Sequence, residues 1–131
     1  MQKKKKRILL IEDSRSTRMT YKRIFEDAEF HILEAGTGQE GWDLTLAEHP
    51  DLVVLDLMLP DMHGLEVLKN IRSHVKTNDI PVLILTMVKE AEEVQRTLSF
   101  GASRYMYKDS ITPENLIEIA KDLLSIKQDS A

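Results

Sequence analysis

Leu52-Val53-Val54-Leu55 runs without a polar interruption into Asp56, and that junction constrains the chain more than any other stretch. A short apolar run bounded by turn signals reads as a strand buried on both faces, because a half-buried strand would alternate. Such strands belong to parallel sheets covered by helices, where ligands gather at the carboxyl ends of the strands. Asp56 stands at such an end. Taken alone, an aspartate there reads as a turn former. The remaining strand ends decide between the two readings.

They also carry polar groups. Ile8-Leu9-Leu10-Ile11 is a second fully apolar run and stops at Glu12 and Asp13. Asn78 and Pro81 bracket the turn into Val82-Leu83-Ile84-Leu85, which stops at Thr86, and Arg104-Tyr105-Met106-Tyr107 stops at Lys108. Phe30 to Ala35 is a weaker, more polar strand, as expected of a sheet edge. Between these runs lie helical stripes. Thr17, Thr20, Ile24 and Ala28 face inward behind a cap at Ser14 or Ser16, with Arg15, Arg18 and Lys22 in a basic stripe beside them. Trp42, Leu44 and Ala47 pack in a helix stopped by Pro50. Leu65, Leu68, Ile71 and Val75 follow a start at Gly64. Ala91, Val94 and Leu98 point inward in a helix closed by Gly101. Thr112 and Pro113 open the last helix, whose buried face is Leu116, Ile119, Ala120, Leu123 and Leu124. Strand and helix alternate through five strands, which predicts an α/β fold with a five-stranded parallel sheet doubly wound by five helices. A single domain covers residues 1–131, with a basic arm at 1–6 and a frayed tail at 126–131.

Composition removes several classes of function. With no cysteine there is no disulfide framework or thiolate metal site, and His31, His49, His63 and His74 lie too far apart for a histidine zinc motif. A net charge of -4 speaks against nucleic acid as a partner. Lys3 to Arg7 is a basic run, but Glu12 and Asp13 interrupt the apolar residues after it, so no signal-peptide core forms. No run approaches the roughly 20 apolar residues of a membrane span. A cytoplasmic protein is expected.

Gly36-Thr37-Gly38-Gln39-Glu40-Gly41 matches G-x-G-x-x-G between a strand and a helix, with Asp56 at 20 residues past Gly36, the dinucleotide spacing. A nicotinamide enzyme is the weaker reading. The motif follows a polar strand, the chain has no length for a substrate domain, and Glu12 and Asp13 go unused.

Parallel strands place Glu12, Asp13, Asp56, Thr86 and Lys108 on one edge. Three carboxylates in one pocket repel, and a hard divalent cation relieves them; Mg²⁺ suits an oxygen-only donor set. With that charge screened, Asp56 can act as a nucleophile toward a phosphoryl group. Lys108 and the Thr86 hydroxyl would then neutralise and hydrogen-bond the phosphoryl oxygens. A phosphatase of the haloacid-dehalogenase kind shares these groups, but it needs a second aspartate two residues past the nucleophile, where Met58 stands.

Over Lys6 to about Leu124 the chain resembles the receiver domains of two-component response regulators. The resemblance is carried by Glu12-Asp13-Ser14, by Asp56 with Pro60 and Gly64, by Thr86, by Gly101-Ala102, and by Tyr105 with Lys108. It implies a flavodoxin-like sheet of order 2-1-3-4-5 and no nucleotide at Gly36 to Gly41. It implies that Asp56 is the phosphoacceptor for a sensor histidine kinase or a histidine phosphotransfer protein. Glu12, Asp13, Asp56 and the Met58 carbonyl would hold Mg²⁺, Lys108 would pair the phosphoryl group, and Thr86 and Tyr105 would be the switch pair. Arg15, Arg18 and Lys22 would dock the phosphodonor. The fourth helix, fifth strand and fifth helix would form the face toward a downstream effector or a phosphorylation-dependent dimer, with no nucleic acid bound by this chain. Three residues depart from the family pattern. Glu12 stands for aspartate, Met87 replaces a small residue and would narrow phosphoryl access, and Asp109 replaces a proline often preceded by a cis bond. That leaves the Lys108–Asp109 bond trans or strained. Met58 and Val88 are apolar neighbours of the phosphoryl position that cannot orient water, which predicts slow dephosphorylation.

Overall fold

The apolar runs form five strands in the positions predicted: β1 Arg7–Ile11, β2 His31–Ala35, β3 Leu52–Leu55, β4 Val82–Thr86 and β5 Arg104–Tyr107. Five helices alternate with them: α1 Arg15–Asp27, α2 Gly38–Glu48, α3 Gly64–Ser73, α4 Ala91–Ser99 and α5 Pro113–Asp129. The structure, a computed structural model, describes residues 4–129, with side chains to residue 125. Residues 1–3 of the basic arm lie outside it. The tail expected at 126–131 is helical as far as Asp129, and residues 130–131 lie outside the described part.

All strand pairs are parallel and the sheet order is β2-β1-β3-β4-β5. Alternation along the buried strands sorts the core into two layers. Ile8, Leu10, Leu52, Val54, Leu83 and Leu85 face α1 and α5. Leu9, Ile11, Val53, Leu55, Val82 and Ile84 face α3 and α2. Apart from Arg7 and Thr86 at their ends, the central strands are thus apolar at every position because each face meets a helix layer. β2, on one edge, leaves His31 and Glu34 exposed, as its more polar composition predicted.

Four helix faces differ from the expectation. In α1 the inward residues are Tyr21 and Phe25, one position on from the Thr20 and Ile24 stripe, and Thr20 is exposed. Aromatic rings one 100° step away bury more area than threonines and set the helix rotation. In α2, Gly38, Gly41 and Thr45 are buried, Trp42 and Leu44 are partly buried, and Ala47 is exposed. Val75, expected inside, lies past the end of α3 and is 83% exposed. In α4 only Thr97 is fully buried, whereas Ala91 is exposed and Leu98 is 44% exposed. Gly101 ends α4 with φ +104, as a C-terminal glycine should. α5 buries all five of its predicted residues.

The register sets the site. Ile11 pairs with Leu55 and Leu55 with Ile84, so β1 and β3 stop level and β4 runs two residues further, to Thr86. Asp56 N–H donates to the Ile11 carbonyl at 3.1 Å and Lys108 N–H to that of Thr86 at 3.0 Å. Sheet hydrogen bonding therefore continues into the first residues of the loops that carry the polar groups.

Candidate functional site

Asp56 begins the loop after β3 and is 6% exposed. A buried carboxylate needs partners for both oxygens. Oδ1 accepts the Thr86 hydroxyl at 2.7 Å and the Met58 backbone N–H at 3.1 Å, and Oδ2 accepts the Lys108 ammonium at 2.7 Å. Lys108 also pairs with Oε1 of Glu12, whose Oε2 accepts the Ser14 N–H at 2.9 Å. One lysine at the end of β5 thus joins the carboxylates that end β1 and β3.

Burial pushes the Glu12 carboxyl above its ordinary value, and Asp56 adds to this; Lys108 and the Ser14 N–H oppose it and are outweighed. Burial works against the Lys108 ammonium as well, but its bonds to Asp56 and Glu12 win and raise it. Carboxylate oxygens of Glu12, Asp13 and Asp56 lie within 4.8 Å of one another, with Asp13 exposed on the solvent side. An all-oxygen acidic cluster of that size can hold a divalent cation, and the donor set suits a hard one.

The loop from Asp56 to His63 is held by close approaches. Gly64 N–H donates to the Leu57 carbonyl at 2.7 Å, and a Cβ on Gly64 would lie 2.4 Å from the Asp56 carbonyl oxygen. Only glycine lets α3 start this close to the strand end. His63 caps α3, its Nδ1 accepting the Leu65 N–H at 3.0 Å, and forms a β-bridge with Met58. Sequence reasoning marked Gly64 as a helix start and as part of the family pattern, and missed both His63 and the Met58 N–H. The Met58 side chain is 63% exposed and Met87 is 51% exposed, so neither is packed over the carboxylate.

From Thr86 a chain of hydrogen bonds leads outward. Val88 N–H donates to Thr86 Oγ1 at 3.4 Å, and the Tyr105 hydroxyl donates to the Val88 carbonyl at 2.6 Å. The structure therefore gives Val88 a backbone role as well as an apolar side chain. Burial, with the neighbouring Tyr107 and acids, pushes the Tyr105 hydroxyl up to about 12, so it stays a donor. No cis peptide occurs among the described residues, so Lys108–Asp109 is trans, and the Asp109 carboxylate turns away to pair with Lys89.

The basic stripe of α1 divides. Arg18 donates to the Glu12 carbonyl at 2.7 Å, and Arg18 and Lys22 both bind Glu34, each at 3.1 Å. Arg15 is exposed and makes no ion pair among the described residues. Two of the three cations are thus partly committed inside the molecule.

The glycine-rich segment has its own explanation. The Asp61 carboxylate accepts Gly38 N–H at 2.8 Å and Gln39 N–H at 2.9 Å, so the chain itself supplies the anion at the start of α2. Those two bonds hold the Asp61 carboxyl below its ordinary value. A Cβ on Gly38 would meet Met62 and one on Gly41 would meet Ile11, both at 2.5 Å. Both glycines serve packing, and a nicotinamide cofactor has no place there.

Comparison with known proteins agrees with this geometry. Residues 8–121 match the model of the response regulator receiver domain. The cell cycle response regulator CtrA of Brucella ovis is 41% identical over 103 residues, 78% of this chain and 43% of that protein. The chain thus spans less than half the length of that curated relative. A CheY-like receiver domain protein from Methanospirillum hungatei superposes with a TM-score of 0.90 at 27% identity, covering 98% of this chain and 100% of that one. The signal receiver domain of a putative LuxO repressor protein from Vibrio parahaemolyticus gives 0.87 at 29% identity, with 97% and 95% covered. Among the described residues no helix is long and apolar enough to cross a membrane.

Proposed function

Because the chain belongs to the response regulator receiver domain family, we propose that it is a switch operated by phosphorylation of Asp56. The observation that carries this reading is the Asp56 carboxylate itself. It is buried, yet all its donors are groups that also suit a phosphoryl group: an ammonium, a hydroxyl and a backbone N–H.

A carboxylate oxygen of Asp56 attacks the phosphorus of a phosphohistidine on a histidine kinase or histidine phosphotransfer protein. The new O–P bond forms as the P–N bond breaks, and its electron pair returns to the imidazole nitrogen, which takes up a proton. Lys108, already within reach of Asp56 Oδ2, follows the negative charge onto the phosphoryl oxygens. Thr86 donates to the same oxygens, which removes its hydroxyl from Oδ1. The residues Glu12, Asp13 and Asp56, joined by the Met58 carbonyl, would hold Mg²⁺, which when bound neutralises charge built up during the transfer.

The consequence for output follows the same bonds. When Thr86 moves, Val88 N–H loses its acceptor and the Val88–Tyr105 contact is released. Tyr105 then turns inward, and the surface of α4, β5 and α5 changes toward a partner, an output domain or a second copy of the chain. Arg15 is the α1 cation freest to meet the phosphodonor.

Acetyl phosphate with Mg²⁺, followed by intact mass measurement, tests this. The wild type should gain one phosphoryl group and Asp56→Asn none. A folded wild type left unmodified by both acetyl phosphate and a phosphorylated histidine donor would make the domain a phosphorylation-independent docking module instead.

A further inference from the structure

Among the described residues, one buried side-chain polar atom is left without a hydrogen-bond partner: Oε2 of Glu93, on α4. An orphaned buried acceptor is uncommon in native proteins and costs free energy wherever it persists. The other oxygen, Oε1, lies 3.6 Å from the exposed Arg96 guanidinium. His63 Nε2 lies 3.9 Å from Oε2, too far for a hydrogen bond. Because His63 Nδ1 accepts the Leu65 N–H, the neutral ring carries its proton on Nε2, the nitrogen that faces Glu93. The donor and the acceptor stand about one ångström beyond bonding distance.

Their positions give the gap a meaning. His63 bridges to Met58, whose N–H shares Asp56 Oδ1 with the Thr86 hydroxyl. A phosphoryl group on Asp56 therefore disturbs two routes at once. One runs through Thr86, Val88 and Tyr105, and the other through Met58 and His63 to α4.

We propose that His63 and Glu93 are a positioning pair, a clasp between the phosphoacceptor loop and α4 that is open in this state and closes to a hydrogen bond when Asp56 is phosphorylated. Closure gives Oε2 its missing donor and so favours the phosphorylated arrangement. The clasp rests on the switch function proposed above and adds a second link between Asp56 and α4.

The test is the affinity for beryllofluoride with Mg²⁺, a phosphoryl mimic, measured by calorimetry on the full chain. His63→Asn keeps a side-chain acceptor for the α3 cap and, being shorter, withdraws its remaining donor from Glu93; Glu93→Leu deletes the acceptor. Each single variant, and the double variant, should weaken binding by about the same threefold to tenfold, the worth of one hydrogen bond. Such non-additivity identifies a shared contact. A merely structural role would appear in urea midpoints without beryllofluoride, which should show no such coupling. Unchanged affinities, or losses that multiply in the double variant, overturn the clasp while leaving the switch intact. A folded wild type that binds no beryllofluoride overturns both.

Discussion

Replacing Gly64 with alanine sets two physical effects against each other. Gly64 is the first residue of α3, and by helix propensity alone alanine stabilises such a position by up to about 1 kcal/mol. The structure predicts the opposite sign. The new Cβ would stand 2.4 Å from the Asp56 carbonyl oxygen and 2.6 Å from the Leu57 Cα, roughly 1 Å inside comfortable contact. Both are backbone atoms that cannot swing aside. Overpacking of this kind costs about 1–3 kcal/mol. Any shift also strains the 2.7 Å bond from Gly64 N–H to Leu57, worth about 1 kcal/mol. Net destabilisation of roughly 1–3 kcal/mol should lower Tm by about 3–15 °C in a chain of this size. Urea unfolding at constant m-value measures the stability, and acetyl phosphate labelling of Asp56 should slow because the strand end has moved. Gly36→Ala is the control. Its Cβ would meet an Arg18 nitrogen at 3.5 Å and a Glu40 carboxylate oxygen at 4.0 Å, both ordinary contacts, so stability should stay within about 0.5 kcal/mol. A Gly64→Ala protein as stable as the wild type would refute the steric argument.

Lys108→Met leaves Glu12 and Asp56 buried without their cation and should cost about 3–5 kcal/mol at neutral pH, read from urea midpoints. Because the Glu12 carboxyl is raised, its contribution is fully present below its ordinary value of 4.5 and is lost as pH rises through the folded value. The variant's deficit should therefore shrink on acidification, and a pH-independent deficit would contradict the cluster. Asp61→Ala should lower Tm by freeing the Gly38 and Gln39 N–H groups. With a lowered folded value, Asp61 stabilises above 3.8 and loses that effect as pH falls through the folded value, so wild type and variant should converge in acid. Phosphorylated protein should release phosphate slowly, since Met58 and Val88 offer no side-chain group to orient water. A half-life as short as that of rapid chemotaxis-type receivers would contradict this.

Much of the architecture was legible because burial on both faces writes itself into β1, β3 and β4 as unbroken apolar runs. Their ends named Glu12, Asp13, Asp56 and Thr86, the end of β5 named Lys108, and the parallel sheet brings all five to one edge. Helix rotation was less legible. Tyr21 and Phe25 displaced the expected stripe of α1, and α4 carries Leu98 outward, because a one-residue offset turns a helix by about 100°. The paired use of Lys108 and the Met58 N–H left no pattern in the chain, since both arise from register and loop closure. Gly38 and Gly41 misled as a motif because close packing and phosphate binding both call for a missing Cβ.

Lys108 and Glu12 are 96 residues apart in the chain yet share a proton donor and acceptor. A ribosome adding about 5–20 residues per second needs roughly 5–20 s to go from one to the other. Until β5 emerges, the carboxylates of β1 and β3 have no lysine between them, and the nascent sheet carries its acid cluster unneutralised at the edge. The lysine that joins the two carboxylates therefore arrives only with β5, after both of the strands it links.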